Sequence, residues 1–312
     1  MDPPKPFPIM DPPKPFPILR LPFLAIEEVF KAMIPFEIIH FSLITKRTKA
    51  VAMHMSFYPK YSIELYIKKV PKVSIKGTTL ISTYFVESMY KGPEERNACL
   101  ERKVLKYSTD PIEKWKRLCI YVMEIFKKKS INVFSMQMDT YLDQNVSIID
   151  FLKTNVKSVD ICNLDQSEEE NDVDEHTIYL LDNLKVSKEF SSQLIGYENL
   201  LKIDCRHVTL RNNQITNEEW NMFLKKWIAM ETNLNLEYFK LGYQELDEFR
   251  GHVLHDIPYE VVDKGVKRSL LIVRNRSTEI SGGIDIRRID GKTATFFMHR
   301  ELWTESLAMS IH

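Results

Sequence analysis

The sequence predicts a chain of mixed class, α+β grading into α/β. A three-helix module stands near the N-terminus, and an irregular strand–helix domain follows it and ends in β-hairpin strands. Three observations carry this. Residues 21–48 are apolar on nearly every side at helical spacing and are divided by Pro22 and Pro35. Strand-like apolar clusters then centre near Phe134, Val159, Leu184, Val208 and Phe239, separated by 25, 25, 24 and 31 residues. From Arg268 onward, alternating apolar residues are punctuated by Gly282-Gly283 and Asp290-Gly291.

The length, 312 residues, accommodates one large domain or two to three small ones. Lys+Arg and Asp+Glu both number 43, so bulk charge marks neither a nucleic-acid nor a membrane binder. Cys99, Cys119, Cys162 and Cys205 lie far apart with no CxxC pair. That spacing argues against zinc ribbons and disulfide frameworks, and fits reduced thiols in a cytoplasmic or nuclear protein. No apolar run reaches the roughly 18 residues of a membrane span, and prolines cut the N-terminus too often for a signal core. The chain therefore reads as intracellular, with no membrane partner.

Residues 1–9, MDPPKPFPI, recur at once as residues 10–18. Proline fixes φ and removes backbone donors, so this leader is expected to be disordered and polyproline-like. One reading makes it a PxxP ligand for an SH3-type groove, with Lys5 and Lys14 as basic partners. The plainer reading is a tandem duplication with an alternative start at Met10.

Pro22 suits the start of a helix, where a missing N–H costs nothing. From Phe23 to Ile34 each residue advances about 100° around the axis. Ile26, Val29, Phe30, Met33 and Ile34 cluster on that wheel, Phe23, Ala25 and Ala32 widen the cluster, and only Glu27, Glu28 and Lys31 form a polar strip. The apolar arc is roughly 200°, about twice what one packing face requires. Pro35 breaks this helix and opens a second, which carries Phe36, Ile38, Ile39, Phe41, Leu43 and Ile44. A more basic third helix runs from Thr45 through His54. So short a unit cannot bury that surface alone. Either the helices sink into the rest of the chain, or one face is reserved for a partner.

The order Leu21-Pro22, Ile26, Val29-Phe30, Met33, Glu37-Ile38-Ile39, Leu43, Lys46 resembles an F-box. The resemblance implies a module that docks on the Skp-type adaptor of cullin–RING ubiquitin ligases. It further implies that Leu21, Pro22, Ile26, Val29, Phe30, Met33, Ile38 and Ile39 form the docking face or its direct support. Thr48 and Lys49 stand where many F-boxes carry tryptophan, a departure that bears on how the third helix packs.

Beyond the module, Ile63, Leu65 and Ile67 alternate with Glu64, Tyr66 and Lys68, the period-two pattern of a strand, and Val73 and Ile75 repeat it. Thr109 to Lys129 reads as a helix with Asp110 at its cap and Pro111 at its start. Its inner face carries Ile112, Trp115, Cys119, Val122 and Phe126, with Trp115 as a core anchor. Among the recurring clusters, helices are expected at 147–154 and 217–230. Strand, helix, strand at this period is how leucine-rich solenoids stack, and VTLRNNQI carries the LxxNxI ending of such repeats. An ordinary α/β sheet would space its strands similarly.

Asp182-Asn183-Leu184, the segment around Cys205 and the helix Phe223-Leu224-Lys225-Lys226-Trp227 resemble the F-box-associated domain (type 2) of the large nematode F-box families. So does GGIDIRRIDGKTAT downstream. That resemblance implies substrate capture without a catalytic role. In the C-terminal segment, Gly282-Gly283 and Asp290-Gly291 read as turns between alternating strands.

Asp160 through Glu175 holds eight acidic residues and no basic one, and reads as a solvated loop rather than a metal site. Residues 264–300 hold nine Lys and Arg against three Asp and Glu, a stripe that could face an acidic or phosphorylated substrate. Without aromatic interleaving it argues against nucleic acid. There is no GxSxG, HExxH or P-loop. His299 with Glu301, and His207 beside Cys205, read as accidental pairing and core lining. No catalytic, cofactor or metal residues are assigned.

The segmentation is 1–18 leader, 19–56 F-box-like module, 57–130 connecting strands and helix, and 131–312 F-box-associated, leucine-rich-like α/β domain. The expected function is a substrate-recognition subunit of a Skp–cullin–F-box ubiquitin ligase, a non-catalytic adaptor between that assembly and an unknown substrate protein. The alternative is a leucine-rich-like binding scaffold unconnected to ubiquitin, whose N-terminal helices cap its own core. A hydrolase with an unrecognised site ranks behind both.

Overall fold

The computed structural model describes residues 18–55, 60–77, 80–88, 101–166, 174–193, 195–211, 214–242, 245–271, 277–301 and 304–312. The duplicated leader (1–17), Cys99 and the Glu168–Glu170 triplet lie outside the described residues.

Three helices open the described chain: α1 (Phe23–Ala32), α2 (Pro35–Ile44) and α3 (Lys46–Met55). The first ends two residues earlier than its apolar pattern, because Met33 and Ile34 are extended. A residue preceding proline is pushed out of the helical region, which explains Ile34. Glu37 in the first turn of α2 accepts a 2.9 Å bond from the Ile34 N–H. At α3 the Thr45 hydroxyl accepts from the Thr48 N–H at 3.1 Å, and the Thr45 N–H donates to Thr48 Oγ1 at 2.8 Å. Thr48 is thus a buried capping residue, and helix three closes without an aromatic there.

The strands join in a single thirteen-stranded sheet among the described residues. β1 (Ser62–Ile67), β2 (Lys72–Lys76) and β3 (Ile81–Glu87) pair antiparallel, and β4 (Glu101–Tyr107) adds parallel to β3. The chain then crosses through α4 (Pro111–Ile125) and returns as β5 (Ser130–Gln137), parallel to β1. Asp110 caps α4, accepting from the Glu113 N–H at 2.9 Å, and Pro111 occupies the first turn. Trp115 is fully buried and donates its ring N–H to the Lys72 carbonyl at 3.0 Å.

From β5 the chain proceeds in strictly sequential parallel order. After β5 come α5 (Asn145–Asn155), β6 (Ser158–Asp165), α6 (Asp174–Asn183), β7 (Val186–Ser192), α7 (Tyr197–Lys202), β8 (His207–Leu210), α8 (Asn217–Ile228) and β9 (Tyr238–Lys240). Along this run α5 touches α6 and α6 touches α7, as helices on one face of a sequential parallel sheet do. Phe134, Met136, Cys162, Leu164, Phe190, Val208 and Phe239 are buried in the core these layers enclose. The expected strand near Leu184 starts later. Leu184 is the buried end of the α6 segment, and β7 begins at Val186, where Lys188-Glu189 interrupts the apolar alternation.

The acidic run is not one loop. Asp160 and Asp165 belong to β6 and are paired, Asp160 with Lys188 at 2.8 Å and Asp165 with Lys68 at 3.3 Å. After α9 (Leu246–Val253) come β10 (Glu260–Leu271), β11 (Ser277–Arg287), β12 (Thr293–Glu301) and β13 (Thr304–Ile311), an antiparallel meander that joins β9 through β13.

Asp290-Gly291 forms the expected turn, with Gly291 at φ +91°. Gly282-Gly283 does not. Both lie inside β11 at a bulge opposite Val262–Lys267, with φ of +74° and +123°. A Cβ on Gly283 would stand 2.8 Å from the Phe296 carbonyl oxygen, so the close approach of two strands, rather than a reversal, requires glycine here.

The basic stripe is also largely neutralised. Lys267 pairs with Glu279, Arg268 with Asp285, Arg287 with Glu260 and Arg288 with Asp290. Arg274 and Arg276 lie outside the described residues.

Candidate docking face and associated domain

The N-terminal helices divide their apolar side chains between two tasks. Of the eight residues assigned to docking, Ile26, Phe30, Ile38 and Ile39 are buried, and Leu21, Val29 and Met33 are half-covered. Pro22 is exposed. Phe30 meets Phe41 edge-on at 5.3 Å, and Phe36 meets Tyr84 of β3 at 4.6 Å. Ser42 shares a 2.8 Å bond with the Tyr121 hydroxyl of α4, and Lys49 pairs with Glu124 at 2.8 Å. One face of α2 and α3 is therefore seated on the sheet and on α4.

Four large apolar side chains of α1 and α2 stay exposed. Phe23 is 56% exposed and Leu24 73% at the start of α1, and Leu43 is 61% and Ile44 68% at the end of α2. Of the apolar residues in the motif order, Pro22 and Leu43 are exposed, and Phe23, Leu24 and Ile44 are exposed beside them. Phe23, Leu43 and Ile44 sat in the apolar pattern read from the sequence. What singles them out is their exposure among the described residues, which helical spacing cannot report.

At the other end of the sheet, α8 is the best-specified element. Thr216 and Glu219 cap it reciprocally, at 2.8 and 3.2 Å. Trp220, Phe223 and Phe239 form an aromatic cluster with centroids 5.6–5.9 Å apart, all buried. Asn221 donates to the Val253 carbonyl and to Asp256, each at 2.7 Å, and Asp256 also pairs with Lys225. Lys225, then Asn221, hold the Asp256 carboxyl below its usual range.

Arg288, in the turn after β11, reaches back to this helix. Its side chain is only 2% exposed and lies 5.2 Å over the Trp227 ring. It makes a two-pronged bond to Asp290, Nε to Oδ1 at 2.9 Å and Nη2 to Oδ2 at 2.7 Å. The Arg288 bonds hold the Asp290 carboxyl down at about 2. The Ile289 N–H donates to the Ile228 carbonyl at 3.2 Å. The C-terminal hairpin is thereby locked to α8.

Residues 175–241 match the family model described as F-box associated. This F-box-associated segment spans α6, β7, α7, β8, α8 and β9, the last half of the parallel run with its aromatic cluster. The strands GGIDIRRIDG fall outside the matched span, yet Arg288 and Ile289 tie them to its longest helix. No curated protein and no solved structure matches the chain.

The three described cysteines, His207 and His299 are buried or half-buried. Cys119, Cys162 and Cys205 are buried, and burial raises each thiol, Cys205 to about 12. Such thiols are poor nucleophiles near neutral pH. Cys205 donates to the His207 carbonyl at 3.3 Å, and His207 stands 3.7 Å from Glu237. His299 lies between the Tyr238 and Phe297 rings, at 6.3 and 6.2 Å. Among the described residues, no group of three or more His, Cys, Asp and Glu is placed to hold a metal ion, and no helix is long and apolar enough to cross a membrane.

Proposed function

We propose that this protein is a substrate-recognition subunit of a Skp–cullin–F-box ubiquitin ligase, working in the cytoplasm or nucleus. The F-box-associated match at 175–241 is the observation that carries the reading. The three helices ahead of it, with Phe23, Leu24, Leu43 and Ile44 uncovered, supply the expected adaptor contact. A few large apolar side chains in such a patch can dominate an interface. In this reading Leu21, Pro22, Val29 and Met33 border the contact, and Ile26, Phe30, Ile38 and Ile39 hold it in shape from beneath. The chain does no bond chemistry itself. It would raise the effective concentration of a captured protein beside a ubiquitin-charged enzyme. The leucine-rich likeness of its sheet rests on the sequential strand–helix order from β5 to β9.

One observation favours the alternative, a binding scaffold. Phe30, Phe36, Ile38 and Ile39 belong to the same core as the sheet, so the helices do cap it. In the ligase reading, capping and docking use different side chains, and substitution of the exposed ones tests it. Full-length chain carrying Leu24→Asp and Leu43→Asp is expected to lose co-purification with the Skp-type adaptor while its melting temperature stays near wild type. Full retention of the adaptor by that variant would reject the docking face.

A further inference from the structure

The sheet ends differently at its two sides. At one side stands β10, whose ladder to β11 is interrupted between Val262 and Lys267, and a bulge turns an edge away from further pairing. At the other stands β4, which among the described residues has no neighbour beyond β3. It keeps an unbroken parallel register from Ile81↔Glu101 to Glu87↔Tyr107, and none of its residues is buried. Those seven residues extend about 20 Å at strand rise. The Ser108 N–H donates to the Glu87 carbonyl at 3.0 Å, which fixes the phase of the ladder. In a parallel pair alternate residues make the bonds to the neighbour. Val104 and Lys106 therefore face β3, and Lys103 and Leu105 turn N–H and C=O outward.

Cations dominate this edge. Arg102, Lys103 and Lys106 stand on β4, and its one carboxylate, Glu101, is already held by Thr83 at 2.9 Å and Lys103 at 3.3 Å. Lys103 and Lys106 lie over the Phe85 and Tyr84 rings at 5.7 and 5.8 Å. Burial first, then repulsion by Lys68, lowers the nearby Lys72 ammonium, and Lys103 adds to that repulsion. On the helix side two hollows adjoin the strand, of about 190 and 270 Å³, and His40 lines both. Arg102 to Val104 line the first, together with Glu37, which already accepts from the Ile34 N–H. Lys106, Lys114 and Arg117 line the second with no carboxylate among them.

We propose that the outer edge of β4 binds an extended acidic segment of a partner protein, which adds to the sheet as a further strand. A straight edge recruits backbone, and alternate side chains of an added strand would point to the helix side, where the two hollows lie. Lysines on an edge repel most strands and leave an acidic one favoured. A second copy pairing β4 with β4 would bring like charges together. The chain's own leader does not fit, because its eight prolines cannot supply the donors a ladder needs. Nor does its own acidic run. β6 stands five strands from β4, about 24 Å away, and the seven residues between Gln166 and Asp174 can reach only about half that distance and return. A phosphate backbone would answer the cations, but its phosphates carry no donors for the Lys103 and Leu105 carbonyls. The proposal stands without the ligase reading, which would only name the bound segment a substrate.

The probe is an immobilised library of random heptapeptides, presented to the full-length chain, with binders remeasured in solution. Recovered peptides are expected to be rich in Asp or Glu and free of internal proline. N-methylating alternate backbone nitrogens should weaken binding at least tenfold in one of the two registers. Lys103→Glu with Lys106→Glu should weaken it at least tenfold with an unchanged far-UV spectrum. Leu105→Pro removes an outward donor and no bond to β3, so it should abolish binding while the chain stays folded. Should that variant unfold, the charge reversal decides alone. Failure to recover any peptide, recovery of basic or neutral ones, equal tolerance of N-methylation in both registers, or indifference to the charge reversal would overturn the proposal. So would a mixed-sequence oligonucleotide that binds more tightly than the peptides, or concentration-dependent dimerisation that the charge reversal abolishes. Adaptor capture, measured in parallel, separates the two readings. Its loss with peptide binding intact defeats the ligase assignment alone, and the reverse result defeats the edge proposal alone.

Discussion

Replacing Arg288 tests how the C-terminal hairpin is held to the F-box-associated segment. The guanidinium is almost wholly enclosed, bonded twice to Asp290, and stacked on Trp227. Arg288→Ala removes both bonds and the planar group over the indole. Deleting one partner of a buried pair costs roughly 3–5 kcal/mol, and because the Asp290 side chain is 26% exposed and can turn to water, about 3 kcal/mol is expected. At about 2 °C per kcal/mol for a chain of this size, the melting temperature falls by about 6 °C. Arg288→Met keeps an apolar stem over Trp227 and should cost less. Asp290→Ala strands the buried cation and should cost more than Arg288→Met. The double variant Arg288→Met/Asp290→Ala should therefore be more stable than Asp290→Ala alone. Thermal denaturation followed by circular dichroism measures all four. A drop under about 1 °C for Arg288→Ala, or a double variant at the additive sum, would show that the clamp does not hold this corner.

The same pair sets an acid window. Asp290 is held down at about 2 from 3.8, so its contribution is complete above the unfolded value and is lost as pH falls toward 2; the stability gap between wild type and Arg288→Met should narrow from about pH 4 to about pH 2 in acid titrations. Gly283→Ala forces a Cβ against the Phe296 carbonyl at a positive φ, and is expected to cost about 1–3 kcal/mol, read by urea denaturation. A wild-type-like midpoint would mean that the bulge relaxes freely. The buried thiols Cys119, Cys162 and Cys205 should resist maleimide at pH 8 in the folded chain and react in urea, as mapped by peptide mass spectrometry. Rapid labelling of Cys205 without denaturant would contradict its enclosure.

Elements with local signals were legible in the sequence. Strands β1 and β2 follow from alternation, and α4, α5 and α8 follow from apolar spacing, with the Asp110 cap marking the start of α4. Helices α6, α7 and α9 were not, because six to ten residues with few apolar positions give too little period to read. The Gly282-Gly283 pair was misread for a different reason. Two glycines signal backbone freedom, but whether that freedom makes a turn or a bulge depends on β10 and Phe296 of β12, which only the folded sheet brings close. The docking face shows the same limit more sharply. On α1 and α2 almost every position is apolar, so spacing cannot say which side is covered. Coverage is decided by Tyr84 and Tyr121, some 40 to 90 residues downstream, which seat Phe36 and Ser42. With that side partly claimed, the exposed large apolar residues of α1 and α2 are Phe23, Leu24, Leu43 and Ile44, Leu43 bordering Tyr84 and Tyr121. A motif pattern records which residues must stay apolar for the module to keep its shape. Exposure is what remains after the rest of the chain has taken its share, so among the apolar motif residues only Pro22 and Leu43 stay exposed.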